Sequence, residues 1–305
     1  MSRKRKGREV SGWLCLDKAV GLTSTAAVGS IKRLFAAAKV GHAGTLDPLA
    51  SGVLPIALGE ATKTVPFVQD GRKVYRFTVC WGIETDSDDS DGKPTATSDM
   101  RPDAAAISTL LPAFTGEIMQ RPPSFSAIKV DGERAYDLAR EGAPVVLEER
   151  PIVVHRLSLA ETPDADHAVF EAECGKGTYV RSLARDMGRR LGCLGHVVAL
   201  RRLVVGPFDA ERAITLEALI AAREAGDALS LDRFLQPIGV ALAELPELAF
   251  AASDAARIGR GQSVLLRGRD APVTGGLVHA TAAGRSIAIG EVAEGQFHPG
   301  RVFHA

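Results

Sequence analysis

At 305 residues the chain has room for one large domain and a small one, and 46 % hydrophobic with 24 % charged side chains argue against a disordered or fibrous protein. The formal net charge of +0 excludes a strong overall field, so any nucleic-acid binding must rest on local clusters. Cys15, Cys80, Cys174 and Cys193 form no Cys-x-x-Cys pair and sit beside no zinc-spaced histidines, and no apolar run approaches a membrane span; these are the reduced thiols of a cytoplasmic protein.

Arg3, Lys4, Arg5, Lys6 and Arg8 make residues 1–10 a basic, flexible arm. Trp13 to Leu16 reads as a short buried strand, followed by a turn and a helix with Ser24 as N-cap and Val28, Ile31, Leu34 and Phe35 at helical spacing. Residues 40–63 hold the most unusual stretch, Val-Gly-His-Ala-Gly-Thr-Leu-Asp-Pro-Leu-Ala-Ser-Gly followed by an apolar run from Val53 to Leu58. Glycines permit tight turns, and Pro48 biases Asp47 away from helix, so a rigid loop presents one carboxylate and a buried strand anchors it. Gly59 to Lys63 lacks the spacing of a nucleotide phosphate loop.

Residues 72–82 alternate as a half-buried strand, with Tyr75, Phe77, Val79 and Trp81 on one face. The acidic run 84–92 fails the calcium-loop test, because Ser87 and Ser98 would occupy the first and twelfth ligand positions; it reads as an acidic surface loop. Residues 120–142 open with two prolines and mix basic with aromatic side chains, as RNA-contact surfaces do. Two paired strands, 152–159 and 168–174, lead through a glycine turn into a helix striped by Leu183, Met187 and Leu191. Arg181 opens that helix. Arg181, Arg185, Arg189, Arg190, Arg201 and Arg202 form a second basic region, and residues 195–203 read as a strand in which His196 is structural. Residues 215–235 are helical with no legible function. Beyond residue 245 a short helix and glycine-punctuated strands (264–266, 276–280, 286–292, 302–304) fit a small β-barrel.

Gly-His-Ala-Gly-Thr-Leu-Asp-Pro-Leu-Ala-Ser-Gly-Val-Leu, Gly-Thr-Tyr-Val-Arg and the proline-rich stretch near 120 resemble the motifs of the TruB family of tRNA pseudouridine-55 synthases. The resemblance covers nearly the whole chain, more weakly beyond Leu245. It implies an α+β pseudouridine synthase fold, a mixed and largely antiparallel sheet flanked by helices, over residues 11–240. It also implies an RNA-clamping insertion at about 120–150 and a PUA-like RNA-binding β-barrel over 241–305. It puts the catalytic role on Asp47, pairs Arg181 with it, and gives Tyr75 the stacking contact to the target base. His42, Tyr179 and Leu200 then shape the base pocket, and Lys18, Lys63 and Lys129, with Arg140, contact the RNA. Ala19 stands where the family usually has proline, which leaves Lys18 in place.

The implied reaction breaks N1–C1′, rotates the uracil and joins C5 to C1′, with no redox step, cofactor or metal. The nucleotide must first be flipped out of the RNA stack. Asp47 can add to C1′, add to C6 or remove a 2′ proton, and Tyr75 offers a hydroxyl for the C5 proton. The implied partner is the tRNA T-stem-loop, bound by a monomer that needs no protein partner, no membrane and no cofactor. Two other classes compete. One is an RNA-folding chaperone, also conceivable as a secondary role; the other is a nucleosidase, which ordinarily needs a second carboxylate beside the first.

Overall fold

The computed structural model describes residues 7–126, 128–130, 133–134, 147–226, 228–266 and 275–304. The basic residues Arg3 to Lys6 and Arg140 of the expected insertion lie outside them, as does the side chain of Lys129, whose backbone is in a two-residue strand. Among the described residues no helix is long and apolar enough to cross a membrane.

The strands, in chain order, are β1 (Gly12–Lys18), β2 (Val40–His42), β3 (Ser51–Leu58), β4 (Lys73–Trp81), β5 (Ile83–Thr85), β6 (Pro94–Thr97), β7 (Gly116–Gln120), β8 (Lys129–Val130), β9 (Glu133–Arg134), β10 (Arg150–Glu161), β11 (His167–Cys174), β12 (Gly195–Val205), β13 (Phe208–Asp209) and β14 (Ile214–Thr215). The main sheet runs β14-β1-β3-β12-β4-β11-β10-β7, with β2 added to β3 and β13 to β12. Only β1–β14 and β3–β12 pair in parallel, so the sheet is mixed and largely antiparallel. The α-helices are α1 (Ser24–Leu34), α2 (Val65–Asp70), α3 (Ala104–Leu110), α4 (Val180–Leu191), α5 (Leu216–Glu224) and α6 (Ala252–Gly259).

β3 is buried along nearly its whole length, which is why it reads as a continuous apolar run rather than an alternating one. Pro55 inside it is tolerated for a local reason. The edge facing away from β1 pairs with β12 at Ser51 and Gly52 and with β2 from Ile56 onward. Pro55 falls in the gap, where its carbonyl takes the Ala43 N–H at 2.9 Å and its missing donor removes no ladder bond. Along β4 the alternation is observed: Tyr75, Phe77, Val79 and Trp81 are buried and their neighbours half-buried.

Three expectations change, and the C-terminal one holds. The N-cap of α1 is Thr23, whose side chain accepts from Ala26 N–H, while Ser24 turns inward and exchanges two 2.9 Å bonds with the Leu46 backbone. Residues 8–10 are anchored rather than part of a free arm: Arg8 N–H donates to the Ala36 carbonyl, its guanidinium meets Asp232 at 2.7 Å, and Val10 is buried. The acidic run is not a surface loop, because Asp88 and Asp89 are 5 % exposed and paired with arginines of α4. At the C-terminus, β15 (Glu247–Ala249), β16 (Val264–Leu265), β17 (Gly276–Ala282), β18 (Arg285–Ala293) and β19 (Gln296–Val302) form a five-stranded sheet in the order β15-β17-β18-β19-β16. This curled half-barrel fits the expected PUA-like unit. It packs around Ile258, Val278, Val292 and Phe297.

Ala241 packs with the catalytic-side core and Leu242 with Ile289 and Phe303 of the C-terminal unit, so the two meet there. A polar latch joins them as well. Lys63 Nζ donates to Glu60 Oε2 at 2.6 Å and to the Val302 carbonyl at 2.7 Å; Arg301 Nη1 donates to the Lys63 carbonyl at 2.6 Å, and His304 N–H to Glu60 at 2.9 Å. Replacing Lys63 with alanine is expected to remove about 1 kcal/mol of this docking. Faster amide hydrogen exchange along β19, with the main sheet unchanged, is the measurement that checks it.

Candidate active site

Asp47 sits on the loop between β2 and β3, and that loop is held from three directions. Gly44 takes a left-handed φ of +92°, and the Ala50 N–H closes back on the Asp47 carbonyl at 3.1 Å. Arg202, delivered from β12 and 1 % exposed, donates Nε to the Val53 carbonyl at 2.8 Å, Nη2 to Gly44 at 3.1 Å and Nη1 to Thr45 at 3.3 Å. One guanidinium thus grips both sides of the loop. From the third side Gly21 N–H donates to the Pro48 carbonyl at 2.8 Å.

That last contact explains Lys18. Its ammonium is fully buried and donates to the carbonyls of Ala19 (2.9 Å) and Leu22 (2.7 Å), tying the turn that carries Gly21. Burial pushes the Lys18 amine down to about 8, opposed by the charge of Asp47. The structure gives Lys18 a bracing task beside the site. Lys63 lies elsewhere, spent on the C-terminal latch.

Asp47 Oδ2 meets Arg181 Nη2 at 2.9 Å; the aspartate side chain is 37 % exposed and the arginine side chain 5 %. Arg181 also donates to the Ser87 carbonyl at 2.8 Å and the Phe125 carbonyl at 2.9 Å, and meets Asp89 at 3.4 Å. A buried guanidinium with this many fixed acceptors has no freedom to turn, so it presents Asp47 to the open side of the site. Asp89 is itself pinned by the Ser87 hydroxyl. Burial pushes the Asp89 carboxyl up, against the Ser87 hydrogen bond and Arg181.

The apolar wall comes from β4 and β12. Leu200 pairs with Phe77 and Arg202 with Tyr75 across the two strands, which puts all four on one face. Tyr75 is 8 % exposed. Burial raises its phenol, with Arg202 opposing, so the hydroxyl stays protonated at neutral pH. Such a hydroxyl takes up a proton only by passing its own on, and neighbouring Arg202 cannot receive one. Tyr179, half-buried, heads α4 without a side-chain cap; Gln120 clamps its backbone instead, Nε2 donating to its carbonyl at 3.1 Å and Oε1 accepting its N–H at 2.9 Å. His42 pairs with Ile56 at the loop's start, and burial, then Arg202, pushes its imidazole down, so the ring is neutral at pH 7. His196 Nδ1–H donates to the Ile83 carbonyl at 2.9 Å, a structural contact.

The site thus collects Asp47, Arg181, Tyr75, Tyr179, Leu200, His42 and Lys18 from five separate segments. Sequence reading missed Asp89, Ser87, Gln120 and the individual role of Arg202. Arg202 was accessible to it: alternation along β12 puts this arginine on the same buried face as Leu200.

A family description, TruB family pseudouridylate synthase (N terminal domain), matches residues 32–180, and a second, tRNA pseudouridylate synthase B C-terminal domain, matches residues 181–243. The chain is 60 % identical over 303 residues to the tRNA pseudouridine synthase B of Nitrobacter winogradskyi, covering 99 % of this chain and 85 % of the relative. It is 56 % identical over 305 residues to the protein of the same name from Agrobacterium fabrum, covering 99 % and 97 %. Among solved structures, the archaeal box H/ACA sRNP Nop10-Cbf5 complex superposes with a TM-score of 0.73 at 26 % identity, covering 96 % of this chain and 86 % of that one. Mixed sheet, clamped aspartate loop and these likenesses define a pseudouridine synthase, an isomerase. Within that class the chain belongs to the TruB family.

Proposed function

We propose that this enzyme converts uridine to pseudouridine at position 55, in the T-loop of tRNA, with Asp47 as the group that acts on the flipped nucleotide. The observation that carries this reading is the Asp47–Arg181 pair. It is a part-exposed carboxylate at 2.9 Å from a buried guanidinium, on a loop fixed at both ends, beside an apolar wall of Tyr75 and Leu200. The tRNA substrate is supported by relatives named tRNA pseudouridine synthase B at 56–60 % identity over nearly the whole chain.

A stacked uridine cannot reach this carboxylate, so the nucleotide leaves the helix and its base lies on Tyr75. The neutral ring of His42 suits filling the space a base vacates better than holding a phosphate by charge. Asp47 then adds to C1′, adds to C6 or removes the 2′ proton; each route breaks N1–C1′ and forms C5–C1′. The proton leaves C5, one is gained at N1, and no oxidant enters. Arg181 holds the carboxylate in one direction throughout.

The test is release of tritium to water from a T-stem-loop RNA labelled at uracil C5, beside an anticodon stem-loop labelled in the same way. Rapid release from the T-loop RNA alone is the expected result. Salt-dependent binding with no release would instead favour a tRNA-folding chaperone. Neither binding nor release sinks the proposal.

A further inference from the structure

Arg181 has a counterpart one helical turn along. Arg185 lies on the same face of α4, and it too is buried. Its Nη1 meets Asp88 Oδ2 at 2.9 Å, its Nε meets Asp186 Oδ1 at 2.8 Å, and its Nη2 donates to the Arg121 carbonyl at 2.9 Å. The pattern repeats that of Arg181, which takes Asp89 and the Phe125 carbonyl. Two successive aspartates, two arginines four residues apart and two carbonyls of the 121–126 segment therefore form a double rung. β12 fastens the aspartate turn from below, with Val197 N–H on the Asp88 carbonyl at 3.1 Å and Ser90 N–H on the Val197 carbonyl at 3.0 Å.

The arrangement is costly. Asp88 holds a left-handed φ of 61°, a conformation that residues with a side chain adopt at a cost. Burial pushes its carboxyl up to about 6, against the attraction of Arg185 and Arg181 and with Asp186 and Glu84 adding to the rise. A raised carboxyl contributes stability that is fully present below its unfolded value and lost as pH rises through about 6. At neutral pH ionising Asp88 thus costs more in the fold than in the unfolded chain. A left-handed turn held by a doubled set of buried arginine contacts marks a device for position.

We propose that Arg185 and Asp88 are positioning residues for the isomerisation: they hold the Ser87–Asp89 turn and the Arg121 backbone so that Arg181 stays aimed at Asp47. This rests on reading Asp47–Arg181 as the reacting pair. Without Arg185 the turn loses the guanidinium that balances Asp88, and two of the acceptors that fix Arg181, the Ser87 carbonyl and Asp89, become free to shift.

The experiment compares Arg185→Met, the double variant Asp88→Asn/Arg185→Met and Asp47→Asn with the parent enzyme, measuring kcat, KM and Tm on the T-stem-loop RNA. The double variant leaves no charge buried alone and serves where the single one fails to fold. The expected result is a kcat lowered about tenfold to a hundredfold in both Arg185 variants, with KM nearly unchanged and the Tm of the double variant at or above the parent's. Parent-like kcat in a folded Arg185 variant beside an inactive Asp47→Asn protein overturns this proposal alone, and so does a loss of kcat that only tracks a falling Tm. An active Asp47→Asn protein overturns both readings.

Discussion

Replacing Asp47 with asparagine is expected to cut tritium release from the T-stem-loop by at least about 10³-fold, since it removes the group proposed to attack or to take the proton. The exchange keeps the shape, leaves one acceptor oxygen for Arg181, and removes the charge and the nucleophilicity. The fold is expected to survive it. Arg181 keeps Asp89 at 3.4 Å and the carbonyls of Ser87 and Phe125, so its charge is not stranded. The loop keeps its three braces, Arg202, Gly21 and the turn at Ala50, none of which uses the Asp47 side chain. Single-turnover release and circular dichroism check the two halves of the expectation. A variant within tenfold of the parent rate excludes Asp47 from the chemistry.

The second large effect falls on stability. Gly52→Ala is expected to cost about 3 kcal/mol, read as a lower midpoint in urea unfolding. Two reasons coincide there. Gly52 holds φ +100°, which side chains rarely adopt, and a Cβ at this position would lie 2.2 Å from the Arg202 carbonyl oxygen and 2.9 Å from its nitrogen. Backbone is not a flexible tip that swings aside. The crossing of β3 and β12 has to open, and Arg202 moves with it. Activity is therefore expected to fall even in the folded fraction, because the same residue grips the Asp47 loop. A loss below about 1 kcal/mol shows that the crossing relaxes cheaply.

Sequence pattern showed most of what is local. The apolar run of β3, the alternation of β4, the stripe of α4 and the Asp-Pro turn all follow from neighbours within a few residues, and each lies where its pattern put it. The long motifs pointed to Asp47 and Arg181 as a pair. What stayed hidden was the other half of each long-range ion pair. An acidic run beside a glycine has the composition of solvated loops, and nothing within it announces that Arg181 lies 94 residues beyond Ser87, or Arg185 97 beyond Asp88. Lys63 has the same problem, since its acceptor Val302 is 239 residues away. Burial of charge is decided by what packs on top, and spacing rules carry no such information.

The pairing of Ser51 with Arg201 and Gly52 with Arg202 also sets a schedule. The ribosome delivers the aspartate loop about 150 residues before the strand that grips it, roughly 8 to 30 seconds earlier at ordinary synthesis rates. For most of that interval Asp47 lacks Arg181, and throughout it the loop lacks Arg202. A nascent or truncated chain that stops short of β12 therefore lacks the residue that grips the Asp47 loop, and the loop can be held in the form described only after about two-thirds of the chain has been made.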